Sequence, residues 1–212
     1  MNIAVILSGG SGVRFGSDTP KQYHLLQYKE IIGYVFDAIN QSKATDKTLI
    51  VSERNLKYKA DYTQGGQTHN ESVANALTHI KNEYPTCTKI LFADAARPLL
   101  TSEVVDNYFN ILNDHDAVIT TQYITDSLGK SGERFVDRSD YFLIQKPEAF
   151  RFEPLIDYFD IKSPKTAIVQ HLPDNANVYN YFDFGNNIKI TYPGDIELAA
   201  QFMISRKGEQ TI

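Results

Sequence analysis

The residues best equipped for chemistry stand near the start of the chain, where SGGSGVRFGSDTPKQ follows an apolar run from Asn2 to Leu7. The glycines Gly9, Gly10, Gly12 and Gly16 permit close backbone approach, so successive N–H groups can converge on one anion. Arg14 and Lys21 add fixed positive charge. The combination reads as a cradle for a polyphosphate, with main-chain donors for the non-bridging oxygens and two cations for charge that grows during reaction. Two other phosphate loops are excluded. A Walker A loop needs Gly-Lys followed by Ser or Thr, and no such tripeptide follows these glycines. The dinucleotide fingerprint needs a third glycine where this chain has Phe15.

Further candidates lie downstream. GGQTHNES, from Gly65 to Ser72, precedes a helical pattern that either Asn70 or Ser72 can cap. DAARP follows an apolar run, so Asp94 stands at a strand end, placed for a divalent metal or a substrate hydroxyl, or simply as a cap. Arg97 can contact a phosphate or brace the turn. Lys189 lies in an alternating run, NIKIT, so its side chain leaves the face that Ile188 and Ile190 bury. A solvated edge lysine is the plain alternative, as a loop residue without ligand is for His69.

These residues need a frame. Helical spacing of apolar residues predicts helices over 31–39, 71–80, 102–112 and 194–203, with a frayed polar tail after Ser205. Apolar runs at 2–7, 48–51, 89–93 and 117–121 read as strands. Strands alternating with helices indicate right-handed crossovers and a mainly parallel sheet, whose ligands sit outside the carboxyl ends of the strands. The glycine loop, GGQTHNES and DAARP all fall there. Residues 123–138, with Gly129 and Gly132 at the tip, read as a β-hairpin arm that must pack on something.

At 212 residues the chain suits one sizeable α/β domain. A formal charge of −5 argues against a nucleic-acid partner. Cys87 is the sole cysteine, so no internal disulfide forms and no Cys/His cluster offers structural zinc. With no signal-like start and no apolar run of membrane-spanning length, a cytoplasmic protein without membrane contact is expected.

Taken in order, GGSGVRFG with PKQ, then GGQTHNES, DAARP and NIKIT, resemble the motifs of cytidylyltransferases acting on sugar-alcohol phosphates, from Ile3 to about Leu198. The resemblance implies a single Rossmann-like nucleotidyltransferase domain with flanking helices. It also implies a protruding β-hairpin dimerisation arm, 123–145, that completes the site of a second subunit in a homodimer. The implied reaction joins CTP and an alditol phosphate to give a CDP-alditol and pyrophosphate, with Mg²⁺ as cofactor and Asp94 as its protein contact. Arg14 and Lys21 are then the catalytic cations at the triphosphate, and Arg138 and Lys189 those orienting the attacking phosphate.

On the same resemblance the nucleotide is held by Leu7, Ser8, Gly9, Gly10, Ser11 and Gly12, and by Gly65, Gly66, Gln67, His69, Ser72 and Ala95. Asp94, Arg97, Ser127, Arg138, Lys146, Pro173 and Lys189 face the acceptor. The chain departs from the family pattern at His69, where arginine is usual, and at Ala93, where histidine is common. Lys146-Pro147-Glu148 replaces Thr-Pro-Gln, and PDNAN at 173–177 keeps only Asp174 and Ala176 of the family segment. The last two departures lie in acceptor regions, and Lys146 and Asn177 in place of hydroxyl donors suit an altered acceptor. They favour ribitol 5-phosphate or a similar polyol phosphate of surface-polymer synthesis over 2-C-methyl-D-erythritol 4-phosphate of isoprenoid synthesis. The reading from another class is a nucleotide-binding regulatory subunit without turnover, against which the retained Arg14, Lys21, Arg138 and Lys189 argue.

Overall fold

The computed structural model describes residues 1–9, 15–54 and 56–209, without the side chains of 207–209. Strand β1 (Asn2–Leu7) is buried at every position after its first, which only a central strand covered on both faces can be. Around it lie β4 (Lys47–Val51), β5 (Asp61–Thr63), β6 (Lys89–Asp94), β7 (Ala117–Tyr123), β8 (Phe142–Arg151) and β9 (Val178–Tyr181). They form a seven-stranded sheet in the order β5-β4-β1-β6-β8-β7-β9. A separate small hairpin pairs β2 (Leu25–Leu26) with β3 (Lys29–Glu30).

The helices cover the two faces in turn. On one face α1 (Ile31–Asn40) and α3 (Ser102–Ile111) pack Ile32, Val35, Val105 and Tyr108 against Ala4, Ile6, Ile50 and Leu91. On the other, α2 (His69–Glu83) and α4 (Phe152–Tyr158) pack Val73, Leu77, Ile80 and Leu155 against Ile3, Val5, Leu49 and Phe92. Consecutive residues of β1 thus feed opposite cores, as the period-2 geometry of a strand requires. A third cluster joins Ala199 of α5 (Asp195–Glu209) to Phe15, Leu26 and Ile190. Among the described residues no helix is long and apolar enough to cross a membrane.

The expected α/β sheet is present, and β1 pairs in parallel with both β4 and β6. The strand-and-helix alternation did not disclose β8, which runs antiparallel to β6 and β7. Its sequence, FLIQKPEAFR, carries a proline and charges in mid-run, and the ladder accommodates them with a bulge. Pairing steps from Ile119↔Glu148 to Thr120↔Gln145, which leaves Lys146 and Pro147 outside the ladder. Thr120 Oγ1 donates to the Pro147 carbonyl at 2.8 Å and holds the bulge in place.

Three expectations need correction. The arm is rooted in a β7–β8 ladder that ends at Tyr123↔Phe142, but its own strands do not form. Beyond that pair only a Lys130↔Glu133 bridge and a 3-10 turn at Arg138–Asp140 occur. The arm's residues are nearly all exposed, Phe135 by 79%, so no buried face holds a longer ladder together. Residues 187–190 are not a strand; Ile190 N donates instead to the Ala96 carbonyl at 2.9 Å, although Ile190 is still buried while Lys189 turns away. The last helix continues past 203 to Glu209 rather than fraying after Ser205.

Candidate active site

The parallel register places Leu7 beside both Val51 and Asp94, so three strands deliver their carboxyl ends to one place. Ser8 N donates to Val51 O at 2.9 Å and Ala95 N to Leu7 O at 3.1 Å, which extends the sheet by one bond on each side. A cavity of about 790 Å³ opens there, with Leu7, Ser8, Gly9 and Ala95 on its wall. Buried Gln22 donates from Nε2 to the Ser8 carbonyl at 2.7 Å, while Ser8 Oγ, Tyr23 and Ser52 form a hydroxyl chain. The PKQ segment therefore braces the start of the glycine loop and brings Lys21 to the cavity. Arg14, Gly10, Ser11 and Gly12 lie outside the described residues.

The second loop is built around the start of α2. Its cap is Thr68, one turn earlier than Ser72: Thr68 Oγ1 accepts from Glu71 N, and the Glu71 carboxylate accepts from the Thr68 and Gln67 amides. This is a Thr-x-x-Glu capping box, which satisfies orphan donors reciprocally and so outcompetes Asn70 or Ser72. Ser72 instead accepts from Gly66 N at 3.0 Å. A Cβ on Gly66 would lie 2.1 Å from Glu71 Cβ, so only glycine fits this turn. A Cβ on Gly9 would come within 3.4 Å of Ser72 Oγ, so Ser72 backs both glycine loops. His69 lines the cavity, whereas the expected nucleotide contacts Gly65, Gly66, Gln67 and Ser72 are not among its lining residues.

Charge converges opposite these loops. Lys189 Nζ pairs with Asp94 Oδ2 at 2.7 Å, and Ala96 N donates to Asp94 Oδ1 at 3.0 Å. Burial by itself would raise the Asp94 pKa, but the charge and hydrogen bond of Lys189 and the nearby Arg97 guanidinium outweigh it and hold the carboxyl below the usual range. Arg97 donates from Nη1 to the Asn187 carbonyl at 2.5 Å, which ties the DAARP turn to the NIKIT segment. Gln145 Oε1 accepts from Asn187 Nδ2 at 2.8 Å. At the far wall Lys146 pairs with buried Glu148. Desolvation of His69 within the protein wall, with the Lys146 ammonium second, lowers its pKa to about 4 although its surface opens to the cavity. The imidazole is neutral at neutral pH.

The fold thus gathers Lys21, His69, Asp94, Ala95, Arg97, Lys146 and Lys189 at one cavity. It does not bring in the rest of the expected acceptor set. Ser127 and Arg138 are exposed on the arm, where Arg138 donates to the Thr125 carbonyl. Pro173 is half-buried off the cavity. Asn177 is bound to Asp114 and Asp116 at the start of β9, so it does not substitute for an acceptor contact in this chain. Sequence reasoning missed Glu148, Gln145 and Asn187 as members of this network. The signal for Glu148 was present in KPE, where a carboxylate two residues from Lys146 offered it a partner.

Comparison with known proteins fits this geometry. The family model described as 2-C-methyl-D-erythritol 4-phosphate cytidylyltransferase (IspD) matches residues 2–206. The chain is 30% identical to the 2-C-methyl-D-erythritol 4-phosphate cytidylyltransferase of Porphyromonas gingivalis, covering 95% of this chain and 97% of that protein. It is 27% identical to the bifunctional ribulose 5-phosphate reductase/CDP-ribitol pyrophosphorylase Bcs1 of Haemophilus influenzae. That match takes in 97% of this chain but spans only 48% of the bifunctional protein's length. The fold matches the crystal structure of 4-diphosphocytidyl-2C-methyl-D-erythritol synthase from Anaerococcus prevotii with a TM-score of 0.80 at 22% identity, covering 95% of this chain and 97% of that one. The carboxyl end of β1, where Ser8 and Gly9 meet a cationic cavity, and a family match along nearly the whole chain place this protein in the 2-C-methyl-D-erythritol 4-phosphate cytidylyltransferase family of CTP-dependent nucleotidyltransferases.

Proposed function

We propose that the protein transfers CMP from CTP to an alditol phosphate, releasing pyrophosphate. The observation that carries this reading is the gathering of Lys21, Arg97, Lys189 and Asp94 at one cavity, with Gly9 and His69 on its wall and Lys189 paired to Asp94. A phosphate oxygen of the acceptor attacks the α-phosphorus in line, and no covalent enzyme intermediate is needed. Lys21, with Arg14 of the same loop, balances charge on the triphosphate and the leaving pyrophosphate. Lys189 orients the attacking phosphate from the other side. His69, held neutral, serves the nucleotide as a hydrogen-bonding ring rather than as a cation.

The site also fits Mg²⁺. This ion is commonly held by one or two carboxylates, with phosphate oxygens and water filling the remaining positions. Asp94, accepting one hydrogen bond on each oxygen, keeps lone pairs for such a role. When bound, Mg²⁺ supplies charge that screens the triphosphate. The arm's exposed Ser127, Arg138 and Phe135 support a homodimer in which the arm serves the partner's site.

Most of the named relatives act, by their names, on 2-C-methyl-D-erythritol 4-phosphate, and this acceptor has the broader support. Ribitol 5-phosphate, favoured from the sequence, is the second reading. It is supported by the Haemophilus relative's name and by the Lys146–Glu148 pair at the cavity wall. The test is pyrophosphate release with CTP and Mg²⁺ against both phosphates. Turnover with one acceptor assigns it. CTP binding without turnover of either would favour a non-catalytic nucleotide-binding subunit over the proposed transfer.

A further inference from the structure

The β8 bulge is the point of departure. It removes Lys146 and Pro147 from the ladder and sets the Lys146 side chain, 11% exposed, against a carboxylate that is 2% exposed. Glu148 is fully committed there. Its Oε1 accepts from Lys146 Nζ and from Ile168 N at 3.2 Å, and its Oε2 accepts from Val169 N at 2.8 Å. The two amides belong to the 3-10 turn Ile168–His171, so one carboxylate fixes both the lysine and the wall formed by Thr166, Ala167 and Gln170. The other end of that wall is tied to α2, where Asn70 Nδ2 donates to the Ser163 carbonyl at 2.9 Å and to the Lys165 carbonyl at 3.3 Å.

A buried ion pair is a poor device for stability, since an apolar pair of similar volume often does as well or better. This one is retained on the wall of the cavity. An ammonium group has three N–H donors, and among the described residues Lys146 gives one hydrogen bond, to Glu148. The others are available to a ligand in the cavity that Lys146 lines.

We propose that Lys146 and Glu148 form a single unit that selects the acceptor. Glu148 is the positioning residue: it holds the ammonium at a fixed point and sets the facing wall. Lys146 is the specificity-determining residue, donating to a phosphate or hydroxyl oxygen of the alditol phosphate. The inference rests on the proposed cytidylyl transfer and deepens it.

The experiment is a double-mutant cycle with Lys146→Met, Glu148→Gln and the double variant. Thermal unfolding and kcat/KM are measured with CTP and Mg²⁺ for 2-C-methyl-D-erythritol 4-phosphate and ribitol 5-phosphate. Each single variant leaves one buried charge uncompensated and lowers Tm, whereas the double variant recovers most of the loss. In the folded double variant the ratio of kcat/KM between the two acceptors shifts by about tenfold or more, the loss expected for a charged hydrogen bond, while KM for CTP stays put. Additive Tm losses would overturn the unit, and an unchanged acceptor ratio in the folded double variant would overturn its role in selection. If the wild type turns over neither acceptor, the proposed reaction fails. Calorimetric titration of the same two phosphates into the CTP-loaded wild type and double variant then reads selection directly, with an unchanged affinity ratio counting against it.

Discussion

Replacing Lys189 with Met separates catalysis from folding at this site. The gross Coulomb attraction of the Lys189–Asp94 pair at 2.7 Å runs from about 1.5 kcal/mol at bulk-water screening to about 6 kcal/mol at an effective dielectric near 20. The lysine side chain is 43% exposed, so hydration and side-chain entropy reduce the net contribution to stability to about 1 kcal/mol. Its proposed work in the transition state is larger. A cation preorganised toward developing phosphate charge is worth about 10²- to 10³-fold in rate, or roughly 3–4 kcal/mol. Lys189→Met is therefore expected to unfold at nearly the wild-type denaturant midpoint while kcat/KM for the acceptor falls by two to three decades. Because desolvation of Asp94 is then opposed only by Arg97 and the Ala96 amide, the Asp94 pKa rises and the acid limb of the rate profile moves to higher pH. Initial rates of pyrophosphate release across pH, beside urea denaturation, measure both. A loss below about tenfold in a folded variant would refute the assignment of Lys189 to the reacting phosphates.

Two further outcomes follow from local geometry. Thr68→Ala removes the side-chain half of the α2 capping box and is expected to cost about 1 kcal/mol by denaturant unfolding, with a weaker CTP affinity because Glu71 of the same box holds the Gln67 amide of the preceding turn. His69 has a folded pKa lowered from 6.5 to about 4, so the unfolded chain binds the extra proton first as pH falls. Its contribution to stability is complete above pH 6.5, declines down to about pH 4 and is flat below. His171, lowered by burial and then by Lys165, acts in the same direction. His69→Gln should flatten the decline in unfolding free energy between pH 6.5 and 4 without abolishing it, and an unchanged slope would show that the ring is not desolvated by the cavity wall.

Much of this molecule is legible in its sequence. A central strand shows itself as an unbroken apolar run, helices as a 3.6-residue stripe, and a phosphate loop as glycines and cations between the two; each depends on residues within one turn or one pleat of each other. That locality is why β1, α1 and α3 appeared nearly where expected and why Lys21 and Asp94 were found at the mouth of the sheet. The misses have physical causes too. β8 was hidden because Lys146, Pro147 and Glu148 interrupt an apolar run, and only a partner strand can absorb them as a bulge. The cap of α2 moved to Thr68 because two reciprocal hydrogen bonds outweigh one. The arm's strands did not extend past Tyr123↔Phe142 because its residues are nearly all exposed, and a two-stranded ribbon with no buried face is marginal in water.

The sequence by itself determined the α/β class, the family motifs and the supply of cations and glycines, since these are matters of composition and short-range spacing. Tertiary structure alone decided that Lys189 meets Asp94, that Arg97 holds the Asn187 carbonyl and that Glu148 fixes both Lys146 and the 3-10 turn beside it. Apart from Lys146 and Glu148, which the bulge brings together, these partners are far apart in the chain. Their energies depend on distance, desolvation and hydrogen-bond direction, and those quantities exist only once the sheet has brought the groups to one cavity.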